Sequence, residues 1–172
     1  MPTLPKRNRH FTEVWNIHKS GKYIWFQSDF NLLRFDGSKS ISIPYKYKIT
    51  TSALIRGRLY IASKEGGICQ LNGKTFTSVP GGEHVKGMRV CALLPYQKGN
   101  ILIVTEFCGV FIFDGATVRP FEMDIDPFLK ANQVFCAATN ERELVFGTVN
   151  NGIIIKDITN GSNTLVRSEE HT

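Results

Sequence analysis

Apolar residues along this chain come in short alternating runs and never in long stripes. Tyr23-Ile-Trp-Phe-Gln-Ser28, Leu59-Tyr-Ile-Ala-Ser63, Ile101-Leu-Ile-Val-Thr105 and Leu144-Val-Phe-Gly-Thr148 are rich in β-branched and aromatic residues, which is the composition of strands. A turn precedes each run (Ser20–Lys22, Arg56–Arg58, Lys98–Asn100, Asn140–Glu143), and before the turn lies another short apolar segment: Val14–His18, Ser52–Ile55, Val90–Leu94, Val134–Ala138. Polar breaks then lead to third strands at Leu32–Phe35, Ile68–Leu71, Val110–Phe113 and Ile153–Lys156. Fourth strands follow at Ser40–Ile43, Thr75–Val79, Val118–Phe121 and Asn163–Arg167. No segment of ten or more residues carries helical periodicity, so a fold alternating helices with strands falls away.

Between third and fourth strands stand Asp36-Gly37, Asn72-Gly73 and Asp114-Gly115, with Asn160-Gly161 a few residues later than its counterparts. These dipeptides predict type I′ hairpins, which need positive φ at both central residues. The same parts recur four times in one order, at intervals of roughly 40 residues, which is the signature of a repeat architecture. Each repeat reads as a four-stranded antiparallel meander that cannot bury both faces alone, and radial stacking of such meanders is a β-propeller. Small Ser52-Ala53, Cys91-Ala92 and Cys136-Ala137 suit first strands crowded near a central axis. The expected fold is therefore all-β, with blades at about residues 11–44, 48–80, 88–123 and 132–168. Residues 1–10 read as a tail and 169–172 as a truncated polar end. Since propellers run from about four to eight blades, these four suggest part of a larger one. Open apolar faces at the first and last blades predict self-association.

Composition narrows the classes. In 172 residues, 42% hydrophobic with twelve Phe, there is enough apolar material for a core and little room for disorder. No apolar run approaches the roughly 20 residues that span a bilayer, so no membrane insertion by this segment is expected. The N-terminus is basic without an apolar signal region, which fits either a cytoplasmic protein or a missing targeting segment. The net charge of +6 is scattered, clustering only at Lys6, Arg7 and Arg9, so no nucleic-acid contact is expected. Cys69, Cys91, Cys108 and Cys136 contain no Cys-x-x-Cys pair, and His10, His18, His84 and His171 complete no zinc spacing. Neither metal nor cofactor is implied, and the apolar neighbours of the cysteines suggest free, buried thiols.

Candidate chemistry is sparse. Glu122, Asp124 and Asp126 form an acidic cluster in a connection between blades, most simply a solvated one. Glu83-His84 has no nucleophile beside it, so no enzyme is expected. Binding fares better, because propeller loops from every blade gather on one face. The candidates are Asp29, Phe30, Lys64, Glu65, Glu106, Phe107, Asn150 and Asn151 between second and third strands, with Tyr45, Tyr47, Asp126 and Phe128 in the connections. Aromatic rings beside amides and carboxylates suit sugars, the ring packing on C–H faces while polar groups bond hydroxyls. The simpler alternative is that Phe30 and Phe107 pack against adjacent blades.

The Gly-His and Trp-Asp marks of WD repeats are absent, and Gly66-Gly67 and Gly81-Gly82 are out of register for kelch repeats. The units instead resemble the two-component regulator propeller repeat. The carriers are Asn132-Gln-Val-Phe135 with Leu144-Val-Phe-Gly-Thr-Val-Asn-Asn-Gly-Ile153, and Ile24-Trp-Phe-Gln-Ser28 with Leu33-Arg-Phe-Asp-Gly37. Glu13-Val-Trp-Asn-Ile-His18 looks like the first blade of the version in Bacteroides-type regulators. The resemblance implies a non-catalytic, periplasmic sensor fragment of a membrane-anchored signalling or transcription-regulating receptor, answering to an oligosaccharide. A stand-alone propeller scaffold for a protein partner is the alternative.

Overall fold

A computed structural model describes residues 13–167; the tail at 1–10 and the end at 169–172 lie outside the described residues. The chain forms two compact units, one ending at Gly87 and the other starting at Met88. Each holds two four-stranded antiparallel sheets in which consecutive strands pair in order.

In the first unit, the first sheet is β1 (Asn16–Ser20), β2 (Tyr23–Gln27), β3 (Asn31–Phe35) and β4 (Ser40–Pro44). The second is β5 (Ile49–Ile55), β6 (Arg58–Ser63), β7 (Gly67–Asn72) and β8 (Thr75–Ser78). Alternation puts Trp25, Leu32 and Ile43 on one face of the first sheet, where they pack with Ile49, Leu59, Ile61 and Cys69 of the second. In the second unit, the third sheet is β9 (Val90–Pro95), β10 (Ile101–Thr105), β11 (Val110–Phe113) and β12 (Val118–Pro120). A six-residue helix α1 (Asp126–Ala131) leads to the fourth sheet, β13 (Val134–Thr139), β14 (Glu143–Thr148), β15 (Ile153–Asp157) and β16 (Asn163–Val166). Its core joins Leu102, Val104, Val110 and Ile112 to Leu144, Phe146 and Ile154, closed by Ile125 and Leu129. Full burial of a side chain such as Phe146 is worth about 1.5–3 kcal/mol, against at most about 1 for an exposed ion pair. The sheets are held by these apolar faces.

The Asp-Gly hairpins are not type I′. Asp36 and Asp114 keep negative φ, and only Gly37 and Gly115 take positive values. Each aspartate opens a four-residue loop in which its Oδ1 accepts two backbone N–H groups, from Ser38 and Lys39 or from Ala116 and Thr117. Those bonds hold both carboxyls below the usual carboxylate range and offer the backbone a turn that needs no left-handed aspartate. Asp157 does the same for Thr159 and Asn160 in the longer loop that displaces the last hairpin. Positive φ at both central residues occurs instead at Arg56-Gly57 and at Lys98-Gly99.

Two other features escape the alternating pattern. A one-residue bulge interrupts the first strand of the second, third and fourth sheets, at Thr50, Cys91 and Phe135. The paired glycines also have a purpose: a Cβ on Gly67 would lie 2.1 Å from the Gly82 carbonyl oxygen, so the two backbones meet where no side chain fits. All four cysteines are free, but only Cys69 is buried. Cys108 and Cys136 are exposed, contrary to the expectation from their neighbours, because Cys108 lies in a loop and Cys136 on an open sheet face. The half-buried Cys91 thiol, pushed up to about 11 by burial, donates to the Val134 carbonyl (3.1 Å).

Candidate functional site

The loops between second and third strands share one construction. Thr105 Oγ1 accepts the Cys108 N–H (3.0 Å) and donates to the Gly109 carbonyl (2.6 Å). Thr148 repeats this with Asn151 and Gly152, at 3.0 and 2.9 Å. Ser63 accepts from the Gly66 N–H, and Ser28 donates to Asn31 Oδ1. A hydroxyl at the end of the second strand therefore sets the shape of each loop, which explains why the repeat keeps Ser or Thr there.

The next residue joins neighbouring sheets. In the first unit the Asp29 carbonyl accepts the Ile49 N–H at the start of β5 (2.7 Å). Its carboxylate takes the Trp15 indole N–H on Oδ1 (2.9 Å) and the Lys48 ammonium on Oδ2 (3.2 Å). In the second unit the Glu106 carbonyl accepts the Val134 N–H at the start of β13 (2.9 Å). Its Oε1 takes Arg89 Nη1 (3.1 Å) and Gln133 Nε2 (2.6 Å). Asp29 and Glu106 thus occupy equivalent places and are engaged by the sheets themselves. Beside each, a phenyl ring stands in solvent: Phe30 is 52% exposed and Phe107 51%. Neither ring is packed away against an adjacent blade.

The remaining candidates divide. Lys64 and Glu65 are exposed in the second sheet's loop, where the Lys64 carbonyl accepts the Gly87 N–H. Asn150 is exposed, whereas Asn151 bonds Asn132. Asp126, at the start of α1, is not simply solvated: its Oδ1 is buried and without a hydrogen-bond partner among the described residues. Gly109 lets the loop approach it, since a Cβ there would lie 3.1 Å from Lys130 Cε and 3.9 Å from Asp126 Oδ1. Phe128 packs on the core beneath. Tyr45 is also a core residue, its ring edge-on to Tyr47 and Phe76 and its hydroxyl 3.4 Å from Cys69 Sγ; burial pushes the phenol up to about 12.

Sequence reasoning missed Trp15, Lys48, Arg89, Gln133 and Asn132. All of them precede a first strand, and the signal was that position alone. It also missed a cleft of about 320 Å³ in the second unit, lined by Tyr96, Phe121, Met123 and Ile158 with Asp124, Lys156 and Asp157. There Asp124 is exposed, as expected of a solvated connection, but it has partners. Lys156 Nζ (2.8 Å) and Asn163 Nδ2 (2.8 Å) bond it and hold its carboxyl below the usual range. Among the described residues no three His, Cys, Asp or Glu side chains gather as metal ligands, and no helix is long and apolar enough to cross a membrane.

No family model and no curated protein matches the chain. Solved structures do. The extracellular domain of BT3049, assigned as a hybrid two-component system of B. thetaiotaomicron, aligns at TM-score 0.70 and 17% identity over 91% of this chain and 25% of its own. The extracellular domain of BT4673, assigned as a one-component system of the same organism, aligns at 0.73 and 16% over 99% and 24%. Virginiamycin B lyase from Staphylococcus aureus, in its selenomethionine form, aligns at 0.69 and 13% over 98% and 59%. The chain spans about a quarter of the length of the two extracellular domains. At these identities the likeness is one of fold, and that fold is a run of four β-propeller blades.

Proposed function

We propose that this chain is a ligand-sensing, non-catalytic segment of a larger extracytoplasmic propeller receptor, with an oligosaccharide as its ligand. The observation that carries the reading is the pair of exposed phenyl rings, Phe30 and Phe107, at the same place in two blades, each beside a carboxylate locked by its neighbours. A flat apolar ring next to fixed polar groups is what a pyranose needs: C–H stacking on the ring and hydrogen bonds at the edge. The likeness in fold to extracellular domains of signalling systems supports the sensing part. A carboxylate engaged by a cation and an indole or amide is poorly placed to serve as acid or base, which favours binding over turnover. Ligand would act on signalling by favouring one arrangement of the receptor over another.

Calorimetric titration against a panel of neutral and acidic oligosaccharides tests this. Phe30→Ala and Phe107→Ala should each weaken binding of the best ligand about tenfold, the order of 1.4 kcal/mol. A panel in which nothing binds, or a ligand indifferent to both substitutions, overturns the glycan reading.

A further inference from the structure

The cleft of about 320 Å³ in the second unit lies at the opposite end of the sheets from Phe107. Tyr96 opens the loop between β9 and β10, and Asp157–Gly161 shape the loop between β15 and β16. Phe107 belongs to a loop between second and third strands, and in an antiparallel meander the two kinds of loop fall at opposite ends. Both walls of the cleft come from adjacent sheets of one unit and their connection, so it is not a face that a further blade would cover.

Its lining is apolar within and acidic around. Tyr96 and Phe121 meet edge to face, ring centroids 5.3 Å apart, and Met123 and Ile158 line the cleft beside them. Glu122, Asp124 and Asp157 contribute three carboxylates against the single ammonium of Lys156. That ammonium is engaged internally: Nζ donates to Asp124 Oδ1 (2.8 Å) and to the Gly161 carbonyl (2.6 Å), and the side chain is only 14% exposed. Register puts Lys156 where the second sheet has the half-buried Leu71, so an apolar plug is replaced by a side chain tied to the exposed Asp124. Bonds from Lys156 and from Thr159 hold the Asp124 and Asp157 carboxyls below the usual range, so both keep their charge. Their oxygens are largely taken, since Asn163 bonds Asp124 Oδ2 and Arg142 stands 3.8 Å from Asp157 Oδ2. Glu122 is exposed, and among the described residues nothing bonds its carboxylate.

The first unit shows what aromatic rings at such a corner hold when the chain itself supplies it. Arg34 stands opposite Trp25, its guanidinium carbon 4.6 Å from the Tyr23 ring centroid and 5.7 Å from that of Trp25. The matching pair in the third sheet is Leu102 and Ile112, both apolar. Among the described residues, no lysine or arginine stands over Tyr96 or Phe121.

We propose that the cleft binds a small quaternary ammonium ion, its methyl groups against Tyr96 and Phe121 and its charge balanced by Glu122. The negative face of an aromatic ring attracts a cation, and carboxylates around the cleft raise the local concentration of one. A primary ammonium would need acceptors for three N–H donors, where only Glu122 has both oxygens free, and unmet donors are costly. A quaternary nitrogen carries no N–H to satisfy. The volume stands near the lower end of small-molecule sites, roughly 300–1,000 Å³, as a head group of this size requires. The site shares no residue with the glycan reading and does not depend on it.

Choline is the probe, set against the neutral alcohol in which carbon replaces its nitrogen. NMR titration of the full chain should show saturable choline binding, at millimolar affinity or tighter, with the alcohol at least about tenfold weaker. Glu122→Gln, a conservative change at an exposed position, should weaken choline binding about fivefold. Tyr96→Leu keeps apolar bulk but removes the ring, and should weaken it about tenfold. Both variants should keep the circular dichroism spectrum of the parent. Vesicles of phosphatidylcholine distinguish the sources of the head group. Cosedimentation that choline competes and Glu122→Gln abolishes assigns it to a lipid, and choline binding without cosedimentation assigns it to a free solute. A chain that shows no saturable choline binding overturns the proposal. So does an alcohol that binds as well as choline, which would make the cleft merely apolar, and so does binding indifferent to either folded variant.

Discussion

The loops after β2 and after β10 carry the same kind of pair, an acid followed by phenylalanine (Asp29-Phe30 and Glu106-Phe107), and they sit in different surroundings. Asp29 is reached across a four-residue connection, Tyr45–Lys48, and is held by the exposed Lys48 and by Trp15. The connection itself is pinned by Tyr45, whose hydroxyl lies where a Cβ on Gly66 would be. Glu106 faces a connection of residues 121–133 that makes room for a helix, and its more buried carboxylate holds Arg89 and Gln133. The same frame therefore tolerates either an aromatic plug or a polar network with a helix above it. Connection length decides which, because a short span can only be filled by side chains already at hand.

Six substitutions, taken in three pairs, test how far these loops and connections differ. Gly67→Ala should have the largest effect, about 3 kcal/mol or more in urea denaturation, because the new methyl meets the Gly82 backbone and φ is +71°. Gly73→Ala, which meets open space at φ +64°, should cost only about 1 kcal/mol; equal losses would mean that the contact at Gly67 is not tight. Next comes Thr105→Val, which leaves the Cys108 N–H without its hydroxyl partner and the buried Gly109 carbonyl with the Thr105 N–H alone, at about 1–3 kcal/mol. Thr148→Val should cost less in the same assay, since that hydroxyl is only half-buried. Glu106→Ala should destabilise by about 1–2 kcal/mol and Asp29→Ala by under about 1, because Glu106 is the better buried and Lys48 is solvated. A reversed order would show that the two connections do not differ as described.

The smallest effect concerns His18, whose Nε2 lies 2.8 Å from Ser52 Oγ between the first two sheets. Burial lowers its pKa below 6.5, so the folded state resists a proton that the unfolded chain accepts. Stability is then full above about pH 6.5 and falls as pH drops through that value towards the folded pKa, where the loss levels off. Thermal melts at pH 8 and pH 5 should show a smaller gap for His18→Gln than for the parent.

The strands were legible because alternation of period two, cut by turns, has few other readings. The positions of Phe30 and Phe107 followed from counting loops. The bonding of Asp29 and Glu106 did not, since their partners lie before first strands whose register the alternation leaves open. The turn type misled for a similar reason: Asp-Gly is a strong signal for a reversal, but the side chain can shape the backbone by a second route. The bulges at Thr50, Cys91 and Phe135 add one residue without disturbing the apolar pattern on either side, so nothing in the sequence marks them. The glycine pairs were visible as glycines, but their reason, one backbone against another, appears only in three dimensions.

Every sheet is made from consecutive strands, and this bears on how the chain acquires its structure. A pairing between neighbours in sequence closes only a short loop, so each sheet incurs little search entropy before its own contacts form. Any of the four can serve as the nucleus, with growth passing to the next sheet in either direction, as in other one-dimensional repeats. A ribosome releasing this chain from its N-terminus would expose one complete hairpin set after another, each able to fold before its successor has been made.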